Sequence, residues 1–273
     1  MRSAHLLVPC LVLLAACPGG DTDTDAVIEV LDPEPAGAPA DPVDGRWTCL
    51  GDEEHPSWGP GSLQLTGYIR TLADPTSLEQ PPAVTIEAFD EDDNAVGTGF
   101  SDPSHGGRVN LSVPVDASGF KGHLLLTFPG YLDYRYQASR PFSTSFFTGW
   151  AWLTTAAERD AQAAAVGVDV PSDARVMIGA VHDCDGFAVS NAVVTIDDNT
   201  DGMLFVEGFE AVAGHTFTTT SGRFVVPEVG GGRLSVAAWG RLEAGGPLQL
   251  LGRVDAEGVP GGISAVSLEP RIE

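Results

Sequence analysis

The chain has 273 residues, 43% of them hydrophobic, with 33 glycines and 20 prolines, a turn-rich composition that leans all-β and leaves room for two ordinary domains. Its 38 acidic and 14 basic residues give a formal charge of -24, a field that repels phosphate backbones and anionic membrane surfaces and so excludes nucleic acid as a partner. Lys121 is the one lysine, and every other base is arginine.

Arg2 opens the chain with a positive charge, and Leu6 to Ala16 forms an apolar stretch well short of the roughly 20 residues a membrane span needs. Residues 1–16 therefore read as a signal peptide. The stretch ends Leu14-Ala15-Ala16-Cys17, which resembles the lipobox of bacterial lipoproteins: a nucleophilic thiol, and small neighbours that admit a signal peptidase just before it. The resemblance implies a diacylglyceryl group on Cys17 and an acylated new amino terminus. Several chains at about 0.8 kcal/mol per buried CH₂ make such an anchor stable. Pro18 replaces the Asp that retains such proteins at the inner membrane in well-known systems, so the outer membrane is expected, at its periplasmic face or the cell surface.

Residues 17–44 are acidic and rich in Pro, Gly and Ala, and read as a disordered tether. A first β-sandwich module with an N-terminal arm is expected over 45–153, because Trp47, Cys49, Leu50 and Trp58 are unsuited to water. Cys10 leaves with the signal and Cys17 takes lipid, so Cys49 and Cys184 remain as an even pair in an oxidising compartment. One disulfide between them is expected, tying the arm to the second module, with two unpaired buried thiols as the alternative.

Strand-like runs separated by turn residues follow at Leu63–Ile69, Ala83–Phe89, Arg108–Val113, His123–Phe128, Tyr131–Tyr136 and Phe146–Leu153. Thr155-Ala156-Ala157-Glu158 is a capping box ahead of good helix formers that end at Gly167, so one helical linker is expected over 154–170. A second module over 171–273 has runs at Arg175–Val181, Ala192–Ile196, Met203–Val206, Thr216–Thr219, Arg223–Val226, Arg233–Trp239, Leu248–Val254 and Ile263–Leu268.

The halves read as degenerate copies of one module. Gly67-Tyr68-Ile69, Val84-Thr85-Ile86 and Gly107-Arg108-Val109 recur in order as Gly179-Ala180-Val181, Val194-Thr195-Ile196 and Gly222-Arg223-Phe224. The second half resembles the carboxypeptidase regulatory-like domain, a transthyretin-like β-sandwich, through Gly179, Val181, Asp183, Gly186, Val189, Ala192 and Val194, then Thr219, Gly222 and Phe224. Thr220 stands where the family has Asp. The first half departs further, with an insertion at Asp74 to Pro82 and Val109 in the aromatic place. The resemblance implies an all-β, transthyretin-like or Ig-like architecture and a non-catalytic part.

Searching for chemistry yields little. His55, His105, His123, His182 and His215 lack zinc spacings and read as surface or loop residues, and no nucleophile elbow or phosphate loop is present. No enzyme and no cofactor is expected. Asp197-Asp198-Asn199-Thr200-Asp201-Gly202 opens like a calcium loop, with Asp197, Asn199 and Asp201 as candidate ligands, but Gly208 stands where the bidentate Glu belongs. Trp150 and Trp152 share one face of their strand and, with Tyr134 and Tyr136, are candidates for a stacking platform, against a buried stripe as the alternative. The functional expectation is a non-catalytic, membrane-anchored envelope lipoprotein with a structural or binding role. Its partner would be an envelope protein or a polysaccharide, and the alternative is a surface adhesin, calcium-dependent in one form.

Overall fold

The computed structural model describes residues 29–50, 61–71, 83–116, 119–142, 151–207, 210–212 and 214–270. Cys17, Trp58, Trp150, the insertion at Asp74 to Pro82 and Gly208 lie outside them. The described residues are all-β apart from one α-helix and a 3₁₀ turn.

In the first half the strands are β1 (Gly61–Thr71), β2 (Thr85–Phe89), β3 (Ala95–Asp102), β4 (Arg108–Val115), β5 (His123–Thr127), β6 (Tyr134–Ala138) and β7 (Ala151–Leu153). Helix α1 (Ala156–Ala165) follows, then β8 (Val176–Val181), β9 (Val193–Ile196), β10 (Leu204–Glu207), β11 (Glu210–Val212), β12 (Arg223–Val226), β13 (Arg233–Gly240), β14 (Gln249–Glu257) and β15 (Ile263–Leu268).

Both modules use one pairing scheme. In the first, β3-β4-β1-β7 run side by side with β7 parallel to β1, and β2-β5-β6 form the facing layer. In the second, β10-β12-β8-β15 repeat the order with β15 parallel to β8, faced by β9-β13-β14. The internal repeat is visible residue by residue, since Gly67 lies opposite Val109 and Gly179 opposite Phe224. A Cβ on Gly179 would enter the space of the Phe224 ring and stand 2.8 Å from Val266 Cγ2, so the aromatic requires the glycine across from it.

The modules differ in closure and in what joins them. In the first, β2 also pairs with β3, so its two layers form one rolled sheet, and Leu132 N donates to Thr154 O at 2.8 Å where the roll nears closure. Parallel pairing of β6 with β15 continues that sheet into the second module. Every residue of β15 is buried: Ile263 and Ala265 join the first core, Val266 and Leu268 the second. A strand covered on both faces needs a nearly continuous small and apolar run, and Ile-Ser-Ala-Val-Ser-Leu supplies one.

Some elements depart from the sequence reading. Strand β3 escaped it because Gly97 and Gly99 lower strand propensity, yet a Cβ at either would stand 2.6 Å from a carbonyl oxygen of β4. The run Thr216–Thr219 is not a strand. Thr218 exchanges backbone bonds with Asn191 and Ala192, and its hydroxyl accepts from Ala192 N at 2.9 Å and donates to Val189 O at 2.8 Å. The helix starts as read: Thr155 caps Glu158 N, Glu158 reaches back to Thr155 N at 2.7 Å, and Gly167 ends it with φ +74°.

The largest difference is at the N-terminal side. Residues 29–50 are not a free tether but a strap on the second module. Leu31 N donates to Leu248 O and Leu250 N to Glu29 O, at 3.0 Å each, which adds a short rung to the start of β14. Leu31 and Ala38 pack on Val193, Ala237, Trp239 and Leu248, and Val43 enters the second core. Arg253 and Arg241 clasp Glu29 and Glu34 through paired guanidinium–carboxylate bonds. The composition hid this because the strap's partners lie some 200 positions away in the chain. The strap ends at the disulfide Cys49–Cys184, with Cα atoms 5.8 Å apart and 135 residues of separation.

Candidate functional site

The residues from Asp183 to Val194 shape the turn after β8 and fill the second core. Asp183, 3% exposed, accepts from Asp185 N at 3.0 Å and Phe187 N at 2.9 Å through Oδ1, and from Arg46 N at 2.8 Å through Oδ2. It therefore shapes the turn after β8 and pins the strap at once. Gly186 takes φ +81° in that turn, and Val181, Val189, Ala192 and Val194 are wholly buried. Thr220 donates its hydroxyl to Glu207 Oε1 at 2.7 Å. The hydroxyls of Thr219 and Thr220 hold the Glu207 carboxyl below its ordinary range.

The carboxylate run after β9 forms a turn. Ile196 and Asn199 exchange backbone bonds at 2.8 and 2.9 Å, with Asp197 at φ +48° and Asp198 at φ +62°. Positive φ at both central residues is the two-residue hairpin turn that follows strand twist. Asp197 Oδ1 accepts from Ser235 N and Asn199 Oδ1 from Asp201 N, each at 2.9 Å, so the first two candidate ligands bond backbone amides instead of converging with Asp201. Among the described residues no three His, Cys, Asp or Glu side chains gather as metal ligands.

The tyrosines do not form a platform. Tyr134 and Tyr136 are 2% and 8% exposed, inside the first core, and burial pushes both phenols far above their ordinary range. Trp152 lies on β7 opposite Arg70 in register, and Trp150 falls outside the described residues.

Histidines prove less peripheral than expected. His123 is buried, stacked on Phe89 with ring centroids 5.0 Å apart, and its Nδ1 lies 3.2 Å from the Arg135 guanidinium. Burial first, and Arg135 second, push it down to about 4. Arg135 also pairs with Glu257 of the second module at 3.1 Å.

Among the described residues two groupings join His, Ser and a carboxylate, and neither has relay geometry. On the 3₁₀ turn, Asp102 Oδ2 at 2.6 Å and Ser104 Oγ at 3.1 Å both meet Nδ1 of His105, whereas a relay needs them on opposite ring nitrogens. Ser104 and His105 pull the Asp102 carboxyl down to about 2. At the seam between modules, Ser267 stands between His182 Nδ1 at 3.0 Å and Glu269 Oε1 at 3.1 Å. The acid thus meets the hydroxyl and not the ring, and Ser267 is 3% exposed.

Among the described residues of the first module, β4 and β3 carry exposed side chains on their outer sides. On β4 the inward side chains Val109, Leu111 and Val113 alternate with Arg108, Asn110, Ser112 and Pro114, all exposed. Register carries a row of outward side chains across five strands: Thr66 of β1 faces Asn110, then Phe100 of β3, Thr85 of β2 and Thr127 of β5. Phe100 is 61% exposed. Gln64 lies opposite Ser112 and Tyr68 opposite Arg108. Outward side chains of β1 from Ser62 to Tyr68 and of β4 include one charge, Arg108, and no carboxylate. This face went unread because β3, which carries Phe100, did not read as a strand; the polar alternation of β4 was its one legible signal.

No protein-family model matches the chain, and no curated protein matches it. Among solved structures it is similar to the TIE protein of Bacillus anthracis, at 14% identity and a TM-score of 0.26, over 78% of this chain and 34% of that one. It is similar as well to a streptococcal ancillary pilin, at 12% identity and a TM-score of 0.23, over 78% of this chain and 63% of the other. The chain thus spans about a third of the first and under two thirds of the second.

Proposed function

We propose that this chain is an exported, non-catalytic lipoprotein of the cell envelope, held at the outer membrane by acyl chains on Cys17, whose folded part has a binding role. The observation that carries the reading is the Cys49–Cys184 disulfide, because such bonds form and persist in oxidising compartments outside the cytoplasm. The apolar stretch before Cys17 supports the same address, and no described helix is long and apolar enough to cross a membrane. The second module is proposed as carboxypeptidase regulatory-like, on the roles of Gly179, Asp183, Gly186 and Phe224 given above.

Metabolic labelling with a fatty acid tests the anchor. The full chain takes up label and sediments with membranes, and Cys17→Ala abolishes both. An unlabelled wild-type chain, recovered from culture fluid with a free thiol at its first residue, overturns the proposal.

A further inference from the structure

We propose that the outer face of β1, β4 and β3 in the first module binds a polysaccharide, with the Phe100 ring stacking on a sugar ring and neighbouring amides and hydroxyls bonding its hydroxyl groups. This gives a ligand class to the binding role proposed above, and it stands whether or not Cys17 carries lipid.

The chemistry of a sugar ring is two-sided: its C–H face is apolar and its rim is a ring of hydroxyls that both donate and accept. A complementary surface needs an exposed aromatic face beside side chains that do both. Phe100 is 61% exposed, and register places Asn110 beside it on one side and Thr85 on the other. An amide offers a donor and an acceptor, and a hydroxyl offers both on one atom. At about 4.8 Å between strands, the row Thr66, Asn110 and Phe100 across β1, β4 and β3 spans about 10 Å, the length of about two consecutive sugar rings.

Charge supports a neutral ligand. On a chain of formal charge -24, the outward side chains of β1 from Ser62 to Tyr68 and of β4 carry no carboxylate and one charge, Arg108, so the exposed aromatic lies beside a face poor in acid. Asp102, at the border beside Arg108, has its carboxylate engaged by Ser104 and His105. Phe187 is more exposed still, at 69%, but it stands in the turn after β8 with no sheet face around it. An aromatic ring is cheap to immobilise on binding, since only two side-chain torsions are restricted.

The test is affinity electrophoresis of the mature chain through gels containing xylan, galactomannan, hydroxyethylcellulose or dextran, and co-sedimentation with purified peptidoglycan. At least one of these retards or carries down the protein. Phe100→Ala and Asn110→Ala each weaken retention about five-fold or more, as expected for one lost stacking or bidentate contact. Phe187→Ala leaves it unchanged, and unaltered thermal midpoints show that the surface variants fold. The idea fails if none of the five probes is retained, or if Phe187→Ala weakens retention as much as Phe100→Ala. It also fails if the face instead joins copies of the chain, seen as a concentration-dependent mass that Phe100→Ala removes. Running the assay on the Cys17→Ala form keeps this outcome separate from the fate of the anchor.

Discussion

Replacing Gly179 by Ala tests the packing rule that the two modules share. In mid-strand, Gly→Ala alone gains about 0.5–1 kcal/mol by removing chain freedom from the unfolded state. Here the added methyl enters the space of the Phe224 ring and stands 2.8 Å from Val266 Cγ2, where ordinary carbon contacts are about 3.5–4.0 Å. Phe224 is 1% exposed among Val181, Val194 and Leu268, so its ring cannot withdraw without disturbing the core. Overpacking of this kind costs about 1–3 kcal/mol and more where nothing yields, which leaves a net loss of about 2 kcal/mol. Phe224→Val copies the first module, where Val109 faces Gly67, and by vacating a core it costs about 2–3 kcal/mol alone. In the double variant the Ala methyl occupies part of the vacated volume, so the two losses are smaller together than summed, by about 1 kcal/mol or more. Equilibrium urea unfolding of the oxidised chain, with the slope checked for constancy, reads all four corners of the cycle. A Gly179→Ala variant within 0.5 kcal/mol of wild type, or strictly additive losses, refutes the reasoning.

Acid titration probes the seam. His123 sits at about 4 in the folded chain against about 6.5 unfolded, so between these values the unfolded state takes up the extra proton. The stability held above pH 6.5 is therefore lost as pH falls to about 4, by about 3 kcal/mol, and His123→Phe, which keeps the stacking on Phe89, flattens that window in urea titrations run from pH 7 to 4. Equal slopes for both proteins end the argument. Reduction, or Cys184→Ser, opens a loop with 135 residues of separation, worth up to about 5 kcal/mol by chain entropy. The urea midpoint of the wild type should drop accordingly under reductant while that of Cys184→Ser stays put; a wild-type midpoint that ignores reductant contradicts a strap held by that bond.

What the sequence shows and hides follows from where each residue's partners lie. Strand β4 is legible because Val109, Leu111 and Val113 alternate with polar neighbours, a local pattern with a local cause. Cys49 and Cys184 are legible by counting, once Cys10 and Cys17 are assigned elsewhere. The repeat is legible because Gly67 and Gly179 each lead the same order of motifs. The strap is not, because nothing near Glu29, Leu31 or Glu34 announces Arg253, Trp239 or Arg241. Alternation places Tyr134 and Tyr136 on one face of β6, but whether that face is buried depends on the roll of the whole sheet. The calcium-like run has two readings because a two-residue hairpin turn also favours Asp and Asn, whose short side chains tolerate positive φ.

Duplicating a sandwich creates two copies of every outer face, and the copies have parted company. Over β9-β13-β14 the outer face carries Val193, Ala237, Trp239 and Leu248, apolar because the strap covers it, with the Trp239 indole N–H satisfied by Thr195 Oγ1 at 3.0 Å. Over the corresponding β2-β5-β6 it carries Glu87, Thr127 and Arg135, where no strap lies among the described residues. The outer sides of β8 and β15 give Ile178, Ile263 and Ala265 to the first module's core. On β1 and β4 the equivalent positions are Thr66, Tyr68, Asn110 and Arg108, of which Asn110 and Arg108 are exposed. One copy has thus spent its surfaces on the strap and on its neighbour, and the other keeps Phe100 and the polar side chains of β4 exposed. A single sandwich offering the same open face would have to take its covalent tether on one of its own surfaces; here the disulfide and the strap load the second copy alone, and the first is free to present β1, β4 and β3 outward.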